Sequence, residues 1–300
     1  MPTLFLPGLE ELAAADAPRL PALELLLARA RAHPAAESSC WAALARAAGG
    51  DLDRWPVGPV SALGELDAVA GDCLRVAPLG MDAQQQGVFR LHAAALAIDP
   101  EEAGALAAAF NATFRSDGLR LVTPLPARWY LLRAAGGATA PWRGFPGPTL
   151  AGGARPAPPE PALRRLLSEV ELLFFAHPVN EARREQGRPL IAGLHPWGGG
   201  RLEAQPAGEP DEVAGEPYLA GLQRLGAVGP AEVLWPLAPE TLSLPALERL
   251  EAEVLEPLAR GLRRGRPGRL RIVTDARRYE LATTDLWRFW RRPRHWATAC

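Results

Sequence analysis

The stretch DPEEAGALAAAFNATFRSDG, residues 99–118, limits the fold more than any other part of the chain. Asp99 stands where a helix N-cap belongs, Pro100 at the first helical position, and Glu102 where it completes a capping box, so the three together mark a helix start. On either side lie short runs with strand character. CLRVAPL and GVFRLHA precede it, separated by the turn-like GMDAQQQ, and LRLVTPL and RWYLLRA follow. The order strand, strand, helix, strand, strand predicts a small α+β unit with an antiparallel sheet.

The flanks have a different texture. TLFLPGL reads as a strand entering a turn at Pro7-Gly8, and PALELLLARARA and SSCWAALARAA show helical spacing, the second capped by Ser38 or Ser39. WPVGPVSALGEL is a passage punctuated by Pro and Gly. Residues 134–160 form a Gly/Pro-rich connection and the clearest boundary in the chain. Beyond it come the amphipathic helix PALRRLLSEVELLFFAH, ending at Pro178, the helix EPYLAGLQRLG, the strand EVLWPL and the long helix LPALERLEAEVLEPLARGLRRG. RLRIVTD and RYELATT read as a hairpin turning at Ala276-Arg277, and the tail LWRFWRRPRHW is aromatic and basic. No internal repeat occurs.

Three hundred residues suffice for one large domain or two ordinary ones, and 48% hydrophobic residues with a formal charge of −1 describe a soluble globular protein. That balance argues against a nucleic-acid binder relying on net charge. All 33 cations are arginine. Without lysine, Schiff-base chemistry and a G-x-x-x-x-G-K-[ST] phosphate loop are excluded. The bias toward Ala, Pro, Gly and Arg reads as GC-rich coding, which weights the two retained asparagines, Asn111 and Asn180, toward need. Cys40, Cys73 and Cys300 have neither metal nor redox spacing and read as reduced thiols. The N-terminus lacks the basic region of a signal peptide, and no apolar run reaches the length of a membrane span. The expected location is therefore the cytoplasm, and Asn111-Ala112-Thr113 has no glycosylation context.

Few reactive constellations are available. His33, His92, His177, His195 and His295 are scattered, with no i, i+4 pair and no HExxH, so no metal site is expected from spacing. There is no G-x-S-x-G elbow and no dinucleotide-binding G-x-G-x-x-G, and Cys40 lies on an apolar helix face. The tail reads as arginine stacked on tryptophan at a core edge, with a protein-docking role as the alternative. The remaining candidate is HPVNEARREQGRPLIAGLHPWGGG, residues 177–200. If PVNEARREQG is a helix, Asn180 lies near Arg183 and Arg184, and its first turn would present free N–H groups. Gly198, Gly199 and Gly200 would add close-approach amides, Trp197 a wall, and His177 and His195 the flanks. Such a set would suit a phosphate or carboxylate; a capped helix, strand and glycine turn is the bland reading of the same residues.

The motif HPVN-x-x-R-x-x-x-G with its W-G-G-G turn resembles bacterial regulatory proteins of the RpfE type, often labelled phosphoglycerate mutase-like. DCLRVAPLGM, DPEEAGALAAAFNATFRSDGLRLVTP, PARWYLL and FWRRP agree with it, over roughly residues 55–295. In IAGLHPWGGG, Ala192, Gly193 and His195 stand where relatives carry Asn-Ser and a second Trp. The resemblance extends distantly to archaeal-type cofactor-independent phosphoglycerate mutases of the alkaline phosphatase superfamily. It implies an α/β domain, residues 1–71 and 151–300, with an inserted α+β domain at 72–150. It also implies two divalent metals held by Asp and His, and a Ser or Thr nucleophile. The matching positions depart from that pattern: Pro7-Gly8 replaces an Asp-Gly after the first strand, and Asp275-Ala276 replaces an Asp-His. The expectation is thus a catalytically degenerate, metal-free and cofactor-free protein with a regulatory or interaction role. Its expected partners are an anionic small molecule at the 177–200 site and a protein at the tail, with no nucleic acid and no membrane. The competing expectation is an active metal-dependent mutase or phosphatase built from His92, His177, His195 and distant acids.

Overall fold

The computed structural model describes residues 1–13, 17–66, 71–84, 87–91, 96–134, 140–145, 147, 160–203, 216–229, 233–235 and 243–298. Along the chain run β1 (Thr3–Phe5), α1 (Pro21–Arg29), β2 (Arg31–Pro34), α2 (Cys40–Ala47), α3 (Val57–Glu65), β3 (Asp72–Gln84) and β4 (Gly87–Leu91). The capped helix α4 (Pro100–Phe114), β5 (Leu119–Leu125), β6 (Arg128–Arg133), α5 (Pro161–Phe175), α6 (Pro178–Glu185) and β7 (Leu190–Arg201) follow. Then come α7 (Pro217–Arg224), β8 (Val233–Leu234), α8 (Leu244–Leu250), a π turn (Glu251–Leu255), α9 (Glu256–Arg263), β9 (Arg269–Val273) and β10 (Arg277–Ala282). None of the described helices is long and apolar enough to cross a membrane.

Two units emerge, Met1–Asp51 with Asp211–Cys300, and Leu52–Pro210. The first is built on a mixed sheet of order β2-β10-β9-β1-β8, with β1 parallel to both β8 and β9. Leu4, Leu23, Leu26, Leu250, Leu262, Leu270 and Ile272 are buried in its core. Helix α1 begins at Leu20, which offers no capping side chain; Glu251 from the π turn accepts the N–H groups of Ala22 and Leu23 instead. The helix expected over LPALERLEAEVLEPLARGLRRG forms with that π turn inside it. Pro257 explains the interruption, because it has no N–H for the Glu253 carbonyl and its ring crowds that carbonyl.

The second unit contains the strand, strand, helix, strand, strand order read from the sequence, and its sheet is antiparallel throughout. β3 is its central strand. One edge pairs with β6 and then β4; the other pairs with β7 from Leu190 to Arg201. Leu74, Val76, Leu106, Phe110, Trp129, Val170, Phe174 and Ile191 form the core between this sheet and helices α4 and α5. Because β7 belongs to this sheet, the unit extends well beyond the 72–150 span expected for an insert. Two elements contradict local expectation. WPVGPVSALGEL folds as α3, almost wholly buried, where Gly58 permits an approach so close that a Cβ would lie 2.6 Å from the Cys73 carbonyl oxygen. IAGLHPWGGG lies in strand β7 rather than in a turn: Gly200 pairs with Cys73, and Gly198, with φ of 60°, and Gly199 form a bulge in the ladder with β3.

Candidate functional site

The residues singled out at 177–200 are divided by the fold. Asn180 on α6 is fully buried, and its amide brackets a single residue at the start of β7. Its Nδ2 donates to the carbonyls of Ile191 (2.8 Å) and Phe174 (2.7 Å), and its Oδ1 accepts from Ile191 N–H (2.9 Å). The other asparagine repeats the device: Asn111 on α4 donates to the Leu121 carbonyl (2.9 Å) and accepts from Leu121 N–H (2.7 Å). Each side chain substitutes for a neighbouring strand. Both asparagines are thus engaged by backbone, one at each of two strands.

Arg183, also fully buried, points its fork at Glu102, the capping-box residue of α4, at 2.8 Å and 2.5 Å. Its remaining Nη1 donates to the carbonyls of Leu96 (3.1 Å) and Pro189 (2.8 Å). Arg188 reaches the same carboxylate at 3.0 Å. Glu102 therefore closes the helix start and pairs with two guanidiniums, joining two motifs far apart in sequence. Arg184, by contrast, is exposed and lies 5.6 Å over the Phe175 ring.

The first turn of α6 offers no free donors. Pro178 has none, the Nδ1 of the N-cap His177 accepts from Val179 N–H (3.2 Å), and the His177 carbonyl accepts from Asn180 and Glu181. An acceptor Nδ1 requires a neutral ring, and burial lowers the His177 pKa in keeping with this.

His195, Trp197 and the glycines lie further along β7. From Ile191 to Gly198 the strand advances roughly 23 Å at its usual rise per residue, so the Asn180 end and the glycine end cannot share one small ligand. His195 is buried, stacked on Phe145 at 4.4 Å, with Nε2 2.9 Å from the Gly147 carbonyl. Trp197 lies under Arg75 at 5.0 Å. Gly198 and Gly199 donate to the carbonyls of Phe145 (3.4 Å) and Arg143 (2.9 Å), and Gly200 pairs with Cys73. A Cβ at Gly199 would collide with the Trp142 carbonyl. Gly200 lines a groove of about 480 Å³ together with Asp53, Arg54, Trp55, Arg143 and Arg201. Two of its arginines are already paired, Arg143 with Asp53 and Arg201 with Asp72.

A second candidate lies where open α/β sheets usually carry ligands, beyond the carboxyl ends of parallel strands. After β9, the Asp275 carboxylate accepts from Gly8 N–H at 2.7 Å through Oδ2 and from Cys40 N–H at 2.9 Å through Oδ1. Gly8 follows β1, and Cys40 is the first residue of α2, whose N-cap Ser39 accepts from Ala42. Glu10 Oε1 accepts from the Thr274 hydroxyl and from Ala276 N–H (3.0 Å). Cys40 is buried, and burial first and the adjacent Asp275 second raise its thiol pKa well above the usual value. Trp235, after β8, stacks on Phe5 at 5.1 Å and tilts against Trp41 at 5.5 Å. Sequence reading noticed Asp275 and Pro7-Gly8 separately. It missed Glu10 and Thr274, because only the parallel pairing of β1 with β9 brings them together.

The paired metals implied by the resemblance do not fit this donor set. Among the described residues no group of three His, Cys, Asp or Glu side chains could hold a metal. His92, one of the three imidazoles in the competing enzyme reading, lies outside the described residues.

No family model matches the chain, and no curated protein matches it. Among solved structures, the chain is similar to a cofactor-independent phosphoglycerate mutase from Thermoplasma acidophilum, at 18% identity over 99% of this chain and 94% of that one, with a TM-score of 0.41. It is also similar to a protein from Pyrococcus horikoshii, at 15% identity over 93% of this chain and 86% of that one, with a TM-score of 0.45.

Proposed function

We propose that this chain is a phosphoglycerate mutase-like scaffold without phosphotransfer machinery, acting as a regulatory or interaction protein. The observation that carries the reading is the engagement of Asp275. Both its oxygens hold backbone N–H groups, at 2.7 Å and 2.9 Å, where the resemblance calls for a carboxylate on a dication. The two N–H groups fix the carboxylate as a clasp between the ends of β1 and β9 and the start of α2, and among the described residues no set of three His, Cys, Asp or Glu side chains stands with it to hold a dication. The partners of Glu10 and the Phe5, Trp235 and Trp41 cluster support the same reading, since backbone clasps and aromatic rings occupy the strand ends. Cys40 is not an activated nucleophile, because a thiol held protonated attacks poorly.

Purified protein supplied with Mn²⁺ and 3-phosphoglycerate, or with p-nitrophenyl phosphate, should give no turnover. It should also retain no stoichiometric metal after dialysis. Turnover of either phosphate ester that disappears on chelation would overturn the proposal.

A further inference from the structure

The aromatic, basic tail folds back on the first unit and is held there at four points. Arg288 and Arg291 donate to the carbonyls of Arg29 (3.3 Å) and Ala30 (2.9 Å), the acceptors left open at the end of α1. Trp296 is fully buried and donates to the Pro18 carbonyl at 2.8 Å, and His295 Nε2 lies 3.0 Å from the Ala17 carbonyl. Trp296 alone of the tail's three tryptophans fits the core-edge role read from the sequence; Trp287 and Trp290 are 79% and 67% exposed.

Between the tail, α1, β2 and β10 lies a groove of about 910 Å³. Five arginines line it: Arg31, Arg277, Arg291, Arg292 and Arg294. The one acid in the lining is Glu24, whose carboxylate is 1% exposed and already bonded to Arg19. Arg31 approaches Asp285 only at 3.9 Å and keeps 65% of its side chain in solvent. Arg277, Arg292 and Arg294 are exposed and form neither ion pair nor side-chain hydrogen bond with the described residues. Guanidiniums gathered around a concave surface without counter-charges repel one another, and the structure gains most from an anion placed among them.

The shape and chemistry narrow the anion. Guanidinium forks match phosphate oxygens two at a time, and several forks around one groove suit more than one phosphate. The volume lies within the range of small-molecule pockets, roughly 300–1,000 Å³. Trp290 in the lining adds an apolar side chain beside the arginines, suited to an uncharged portion. We propose that this groove binds a small molecule carrying two or more phosphate groups. The proposal goes beyond the scaffold reading and holds whether or not the strand ends are reactive.

The test is calorimetric titration of the full chain with inorganic tripolyphosphate at low and physiological salt. Saturable binding of one equivalent is expected. Arg277→Glu and Arg292→Glu should each weaken it about tenfold, the effect of losing a charge-assisted contact and gaining repulsion. Arg260→Glu, a reversal outside the groove, should leave it unchanged. Near-ultraviolet dichroism checks that each variant is folded, and either groove variant alone suffices. Absence of saturable binding, or equal weakening by Arg260→Glu, overturns the proposal. Association with anionic phosphatidylserine vesicles or with oligo-dT that tripolyphosphate does not compete also overturns it, and would assign the exposed Trp287, Phe289 and Trp290 to a macromolecular surface instead.

Discussion

Replacing Asn180 with alanine should destabilise the second unit severely. The substitution removes three heavy atoms and breaks the bonds to Phe174 and Ile191, leaving the Ile191 carbonyl and N–H buried without the partner Asn180 supplied and the Phe174 carbonyl with the His177 N–H alone. Each orphaned buried group costs about 1–3 kcal/mol. The space released is large enough for about one water, which can restore part of the bonding. The expected loss is therefore about 3–5 kcal/mol. An asparagine facing a ligand pocket would lose no more than about 0.5 kcal/mol on the same change, as surface substitutions generally do. The assay is urea unfolding monitored by hydrogen–deuterium exchange across Leu190–Arg201, which reports this unit alone. With a slope near 2 kcal/mol/M, a 4 kcal/mol loss lowers the midpoint by about 2 M. A shift below about 0.5 M would refute the claim that the bracket holds α6 to β7. Asn180→Asp sharpens the test, because it keeps the acceptor for Ile191 N–H but turns a carboxylate toward two carbonyl oxygens. Its deficit should widen as pH rises through the carboxylate range, whereas that of Asn180→Ala should not.

His177 supplies a pH dependence of opposite sense. Burial holds its folded pKa below the usual imidazole range, and the neutral ring caps α6. The cap therefore contributes fully above about pH 6.5 and is lost as pH falls through the lower folded value. Wild-type stability should fall more than that of His177→Asn on acidification to pH 5, since asparagine caps at both pH values; equal pH profiles in urea unfolding would refute this. Cys40, buried with its pKa well above the usual value, should resist iodoacetamide at pH 8 in a Cys73→Ser, Cys300→Ser background. Mass spectrometry should show alkylation only at urea concentrations that unfold the first unit, and rapid native labelling would show that the thiol is accessible.

What could be read from the sequence was local. The capping box of α4 depends on three neighbouring residues, and it forms as those residues require. The hairpin of β9 and β10 likewise follows from alternation around a short loop. α3 and β7 look broken in the sequence for one reason: their glycines read as turns, while Gly58 and Gly199 let another backbone come close and Gly193, Gly198 and Gly200 make room for the side chains of Glu171, Val57 and Pro56. Such contacts are set by tertiary packing and leave no local trace. The 177–200 residues were prominent because a buried polar network and a ligand site need the same side chains. Asn180, Arg183 and Glu102 show the difference only through the identity of their partners, which one sequence does not display.

The placement of β1 has a consequence for biosynthesis. Thr3 pairs with Val233 on one side and Arg271 on the other, and the amides at the start of α1 wait for Glu251. β1 thus has no strand partner until the residues around 233 and 271 have been synthesised. Residues 52–210, an unbroken stretch, can mature in the meantime. The sheet edges of β1 and the first amides of α1 consequently stay open to chaperones and proteases throughout the synthesis of residues 52–210.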